Sequence, residues 1–423
     1  MRGRSRGLLA GGMLAAGLVV SALLSAHADS PPLKFINPET FADKPAGIRH
    51  GDLLYHAYIA VGTIYDSNVF SAPSDAVSDR VLFLRPGLSV STLDPNYKFD
   101  FRATLDHLEY ERFVDESRTD PRAELTGRVR LQRDLEIDTW LSAARVHNAR
   151  SLQRRDLPGN AAEPVAHNEY LARLALRRTY NRLVLTTSAA YENQNYFNVR
   201  SVGGPPINLQ SLDRDVFKVG QEAELRLSHR LRLFSRVSVN DTDYREVMGF
   251  TERDSTKVAI VNGVEVAFTP LIKGLLSHHY GEERFKSASI QSDPEIYYRV
   301  ELYWSPLRHL RLRAGAAREF GGVSFDLDAS GGRRTRADFA IDYDITRRLF
   351  LRASFNYTHA NEAGLALGEK RVEDTHQYRA SLGYQLNRHW NLFLDYAVES
   401  RDANIEANQL ERHVVQVGAV ARF

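Results

Sequence analysis

Three kinds of residue in this 423-residue chain have types and spacings that could do chemistry. The first is histidine. Thr358-His359-Ala360-Asn361-Glu362 puts a base near the end of an alternating run. Nucleophilic catalysis also needs a hydroxyl or thiol within hydrogen-bond reach of that base. Ala360-Asn361 leaves no serine there, and the chain has no cysteine. His278-His279 would place its side chains on opposite faces of a strand, a poor chelate. His229, His309 and His389 fall in tight turns. The second kind is the acidic pair, Asp241/Asp243 and Asp326/Asp328. Such pairs could hold Ca²⁺ between loops but lack the remaining oxygen ligands of a defined site. No catalytic residue, cofactor site or metal ligand is therefore assigned. The third kind is arginine and carboxylate recurring at every second position over most of the chain, and its meaning depends on the elements that carry it.

Those elements are strands. Leu349, Leu351, Ala353, Phe355 and Tyr357 oppose Arg352, Ser354, Asn356 and Thr358. Tyr378, Ala380, Leu382 and Tyr384 oppose Gln377, Arg379, Ser381 and Gln385. Period-two alternation of this kind marks a strand with one apolar and one polar face. Between such runs sit short polar turns, such as Gln132-Arg133-Asp134-Leu135, Tyr180-Asn181-Arg182-Leu183 and Asn387-Arg388-His389-Trp390, alternating with longer loops. The chain ends on the same pattern: Val415, Val417, Ala419, Ala421 and Phe423 share one face.

A soluble β-sandwich or propeller also alternates. The strands here run mostly ten to fifteen residues, whereas soluble strands average about five or six. Their polar faces are charged throughout, and Tyr, Phe and Trp gather near strand ends, as at Tyr97, Tyr180, Tyr280, Trp304 and Trp390. Aromatic girdles at two membrane interfaces account for that placement. The fold expected is all-β: a single closed antiparallel transmembrane β-barrel of about 18 strands, with short periplasmic turns and longer extracellular loops. Its first strand is read at 55–65 and its last at 410–423, antiparallel neighbours that close the sheet. Strand 97–112 changes parity near His107-Leu108, which suggests a bulge, and 254–268 is weakly patterned. One hairpin missed or split would make sixteen or twenty strands.

On that reading the third set of residues lines the lumen. Its basic members are Arg102, Arg128, Arg130, Arg173, Arg177, Arg232, Arg236, Arg299, Arg311, Arg313, Arg352 and Arg379. Its acidic members include Asp100, Glu124, Glu222, Glu224, Glu301, Asp338 and Asp342. The signs nearly balance. They describe either a hydrated wall of cross-strand ion pairs or, if the arginines cluster on one arc, a basic strip for an anionic polymer. Strong selectivity would need one sign to dominate a constriction.

The two ends of the chain carry addresses. Arg2, Arg4 and Arg6 precede an apolar stretch from Leu8 to Leu24 and Ala26-His27-Ala28, the pattern of a signal peptide cleaved after Ala28. Loss of the three arginines takes the formal charge down by three, from +2 to −1, which does not suggest a nucleic-acid partner. Residues 29–53, with Pro31, Pro32, Pro38 and Pro45, read as a periplasmic extension, with a small plug left open. Residues 54–423 form the barrel. Without cysteine there is no lipoprotein anchor and no disulfide.

Ile64-Tyr65-Asp66-Ser67-Asn68-Val69-Phe70, then Ser78-Asp79, then Leu84-Arg85-Pro86-Gly87-Leu88 resembles the putative β-barrel porin family of Gram-negative bacteria. That resemblance implies an outer-membrane location. It also implies either a porin-like channel for hydrophilic solutes or a barrel of a capsular or exopolysaccharide biosynthesis or export system. The terminal strand with Phe423 resembles the signal read by the barrel-assembly machinery. The expected partners are thus outer-membrane lipid, lipopolysaccharide, that machinery and, in the second case, a polysaccharide-export complex. The His359 segment faintly resembles the His-x-Ser-Asn signature of lipid A deacylases, a lipid-modifying enzyme being the minor alternative, but it lacks the serine. Asp66, Ser67 and Asn68 are good turn formers and read as a structural cap before a sugar site.

Overall fold

Side chains that alternate between oil and water leave the backbone one regular solution, and the chain adopts it. The computed structural model describes residues 45–94, 96–148, 150, 161–245, 253–287, 294–321, 332–362 and 371–423. The expected signal segment 1–28, most of 29–53 and the Asp326/Asp328 pair lie outside the described residues. The strands are β1 (Ile48–His50), β2 (Leu53–Asp66), β3 (Asp79–Thr92), β4 (Tyr97–Tyr110), β5 (Arg118–Gln132), β6 (Leu135–His147), β7 (Ala166–Tyr180), β8 (Leu183–Tyr196) and β9 (Arg214–Arg226). They continue with β10 (Leu231–Tyr244), β11 (Ser255–Thr269), β12 (Ile272–Phe285), β13 (Glu295–Leu307), β14 (Leu310–Gly321), β15 (Gly332–Asp344), β16 (Leu349–Glu362), β17 (Arg371–Gln385), β18 (Trp390–Ala403) and β19 (Leu410–Arg422). From β2 to β19 each strand is antiparallel to the next, and β19 returns to β2 from Val414↔Asp66 to Arg422↔Tyr58. Phe423 and Ala57 exchange backbone hydrogen bonds of 2.8 and 3.3 Å beyond that register. The result is the closed 18-stranded antiparallel barrel that the alternation predicts.

The faces are inverted relative to a water-soluble domain. Leu82 is 61% exposed, Leu174 56% and Trp304 44%, all on the outer face, where hydrocarbon rather than water has to receive them. The polar members of each strand turn inward. Five of the short turns share one device. Asp94, Ser228, Thr269, Thr346 and Asn387 each accept the backbone N–H groups two and three residues ahead, at 2.7–3.3 Å. A short polar side chain thereby completes the turn. Asn181 instead takes a left-handed φ of 49°.

Two expectations need correction. β4 has no bulge at His107-Leu108, because its register with β5 runs unbroken from Tyr97↔Val129 to Leu108↔Arg118. His107 simply faces outward and Leu108 inward near the loop end, where both faces have left the hydrocarbon. The irregularities lie beside short turns, at Arg130/Gln132, Ala267/Thr269 and Trp304/Leu307. The weakly patterned stretch 254–268 forms the strand read there, β11. An element that the alternation did not predict is β1. It pairs with the start of β2, Ile48↔Tyr55 to His50↔Leu53, the stub of edge that β19 does not reach.

At the long-loop end, Ala161, Val165, Val199, Leu209 and Leu212 form a small apolar cluster with Tyr196 and Ile207. Arg200 ties three loops together, reaching Asp115 at 3.0 Å and Glu163 at 3.2 Å. Those two carboxylates push its guanidinium pKa further above its ordinary value.

Candidate functional site

The register fixes which residues share the inner face, and every charged residue named above for the lumen lies on it. Several face a partner directly across the ladder. Arg128 Nε meets Asp138 at 2.6 Å and Arg130 Nε meets Glu136 at 3.3 Å on β5 and β6. Arg236 Nε donates to Glu222 at 2.8 Å, and Arg232 meets Glu265 directly across and reaches Glu224 obliquely at 2.9 Å. Arg352 lies 3.2 Å from Asp342, whose other oxygen is 3.8 Å from Arg311. Others pair obliquely or along one strand: Arg313 with Asp338 at 3.0 Å, Arg299 with Glu301 at 2.6 Å, Arg102 with Asp100 at 3.8 Å, Arg122 with Glu124 at 3.5 Å.

The pairs are spread around the circumference, not gathered on one arc. Arg173 and Arg177 on β7 have no carboxylate within 4 Å among the described residues. Arg379 sits between Ser354 and Ala397 in the register. Further inner pairs include Arg85 with Asp106 at 2.6 Å, Lys218 with Glu192 at 2.5 Å, Lys257 with Glu283 at 3.5 Å, Arg371 with Glu373 at 3.7 Å and Arg401 with Glu399 at 3.5 Å. The alternation carries their signal too. At Arg85 it is masked by Pro86-Gly87, where the ladder to β4 is interrupted. Chemically, the wall can keep water in the lumen and present both signs to a solute. No single sign dominates it.

The loop-end motif is a clamp. Asp66 accepts from Arg412 at 3.0 and 2.5 Å and from the Asn68 backbone at 3.0 Å. The Asn68 side chain bonds Ala72 twice, at 2.8 Å each, and the Glu411 carbonyl at 3.0 Å. Asp79 receives the backbone N–H groups of Arg80, Arg112 and Phe113 at 2.8–3.2 Å. These oxygens are spent inside the chain, as in the cap reading.

The histidines divide between the faces. His278 lies outside against Tyr298, and His279 inside, stacked on Tyr297 at 4.4 Å. His359 faces outward, its Nδ1 2.9 Å from Asp374 Oδ1, which also accepts from the Tyr357 hydroxyl at 2.6 Å. An oriented base is therefore present, with Thr335 and Asp374 as its register neighbours. Ser400 lies opposite His376 instead. Among the described residues no cluster of three or more His, Asp or Glu is placed to hold a metal ion.

Compared with known proteins, residues 42–423 match the family model described as putative beta-barrel porin 2. No curated protein matches the chain. Among solved structures it is similar to the siderophore receptor PirA from Pseudomonas aeruginosa, at 9% identity and TM-score 0.48, over 90% of this chain and 81% of that one. It is also similar to OccAB2 of Acinetobacter baumannii, at 10% identity and TM-score 0.49, over 88% of this chain and 98% of that one. For OccAB3 of the same organism the values are 9%, 0.47, 88% and 100%.

Proposed function

The chain belongs to the putative beta-barrel porin 2 family and is an outer-membrane barrel channel, and from that premise we propose that its lumen passes small hydrophilic solutes with little preference for charge. The observation that supports this reading is the pairing of inner-face charges around the barrel, from Arg85–Asp106 on β3 and β4 to Arg412–Asp66 at the closing seam. A wall whose cations are neutralised by neighbouring carboxylates offers polar surface and water, but no net field to reject one sign of ion. A basic track for an anionic polysaccharide would need arginines without such neighbours along one arc. Export through residues 1–28, contact with lipid and lipopolysaccharide, and delivery to the barrel-assembly machinery through the strand ending in Phe423 belong to the same proposal.

The test is conductance of the purified barrel in planar bilayers under a KCl gradient, with and without the residues before β1. The expected result is an ohmic channel with a reversal potential close to zero. Absence of conductance in both forms would overturn the reading. Block by anionic oligosaccharides, with uncharged sugars passing freely, would replace it with the polysaccharide role.

A further inference from the structure

The outer face is interrupted at mid-strand by two carboxamides. Gln221 on β9 and Asn262 on β11 point outward, each at least five residues from both ends of its strand. Among the described residues no other outward carboxamide is so far from a strand end. Above and below them the same face is apolar: Val219 and Ala223 flank Gln221, and Ile260 and Val264 flank Asn262. Each faces a hydroxyl on one adjacent strand. The Thr187 Oγ1 donates to Gln221 Oε1 at 2.6 Å and the Ser235 Oγ to Asn262 Oδ1 at 2.8 Å. His278 faces outward directly opposite Asn262. Thr187, Gln221, Ser235, Asn262 and His278 thus form one polar patch across β8 to β12, at the depth of acyl chains.

Acyl chains offer such groups nothing. A carboxamide has two acceptor sites and two donors, and one hydroxyl can satisfy only one end of it; the Gln221 NH₂ finds the Glu222 carbonyl at 3.3 Å. The Asn262 NH₂ donates to no described residue, and exchanging its O and N would leave the oxygen in the same position. Burial of an amide end in hydrocarbon without a partner is costly, and hydrogen bonds between transmembrane segments relieve it. We propose that this face is the contact between copies of the chain in the membrane. The occupant is a second copy because the patch holds no Asp, Glu, Lys or Arg and carries donors and acceptors together, so it complements itself. The small side chain of Ala223 beside Gln221 also lets another barrel approach closely.

Because the chain has no cysteine, single-cysteine variants read the contact directly in membranes. Gln221→Cys and Asn262→Cys are expected to give disulfide-linked copies with copper-phenanthroline and dioxygen, while Leu394→Cys on β18 gives none. Gln221→Leu/Asn262→Leu, verified as folded by heat-modifiable gel mobility, is expected to shift the detergent-extracted species from oligomer to single barrels by native mass spectrometry. Equal cross-linking at all three sites, cross-linking only to a different protein, or an oligomer unchanged in the double variant would overturn the proposal. Conductance per barrel is a separate readout, so failure here leaves the channel reading standing, and the reverse.

Discussion

Asp66→Ala removes one side chain from the seam where the first and last barrel strands meet. Asp66 is 2% exposed and takes both ends of the Arg412 guanidinium together with a backbone N–H. Without it, Arg412 stays in place and loses its hydrogen-bonded counter-charge, and the Asn68 N–H loses its acceptor. Breaking a buried pair by deleting one partner costs about 3–5 kcal/mol. Arg412 also faces Glu399 across the β18–β19 register, which retains part of the compensation and sets the expectation near the low end, about 3 kcal/mol. That is roughly two orders of magnitude in the folding equilibrium. The assay is urea titration of the barrel in liposomes, followed by heat-modifiable mobility and tryptophan fluorescence. Arg412→Gln and the double variant complete a mutant cycle, in which the double variant should be less damaged than the sum of the singles. A single-variant loss below about 1 kcal/mol would refute the reasoning, because that is what a solvated surface pair is worth.

Arg232→Glu/Arg236→Glu leaves Glu222 and Glu265 without their arginines and Glu224 with Arg226 alone, and the channel is expected to become cation-selective by about threefold or more in permeability ratio. A reversal potential unmoved from that of the unaltered barrel would count against those side chains facing the ion path. Gly263→Val would place a Cβ 2.2 Å from Phe234 Cζ, so the ring has to leave the glycine it covers. The expected cost is about 1–3 kcal/mol in the same urea titration. Deletion of Phe423 removes the pair of backbone hydrogen bonds to Ala57 and the last outward aromatic, and should lower the folded fraction recovered from cell membranes several-fold. Arg200→Ala unties the loop hairpin from Asp115 and Glu163 and should speed protease cleavage within 198–207, with the barrel intact by gel mobility.

The strands were legible in the sequence because two solvents enforce the same alternation. Lipid selects one face and water the other, so β6 begins and ends where the pattern does, at Leu135 and His147. The pattern failed where a solvent changes. At His107-Leu108 the strand has risen out of hydrocarbon, an outward His and an inward Leu become acceptable, and an unbroken ladder mimics a bulge. β1 was illegible for another reason. Three residues cannot show a period, and Ile48–His50 is a strand only because β19 stops short of the start of β2. Which arginine meets which carboxylate was likewise hidden. Alternation assigns a face, but Arg313 reaches obliquely to Asp338 while Arg128 faces Asp138 squarely, and only the register distinguishes them. The loop cluster around Val165 and Leu212 joins segments far apart in sequence, where no local signal exists.

The same kind of pair does different work at different places on the wall. At the seam, Arg412 and Asp66 have side-chain exposures of 16% and 3%, and their pairing holds the barrel shut. Arg128 and Asp138, at 43% and 31%, stay in contact with water, where the attraction gained is nearly cancelled by hydration lost. A solvated pair of that sort adds little stability, yet it fixes where charge stands along the passage and cancels most of its field. An inner surface built from many such pairs can therefore change selectivity by single substitutions without endangering the fold. The positions that cannot be changed cheaply are those where the pair is dry, as at Arg401–Glu399, Arg371–Glu373 and the Arg412–Asp66 pair that joins the first barrel strand to the last.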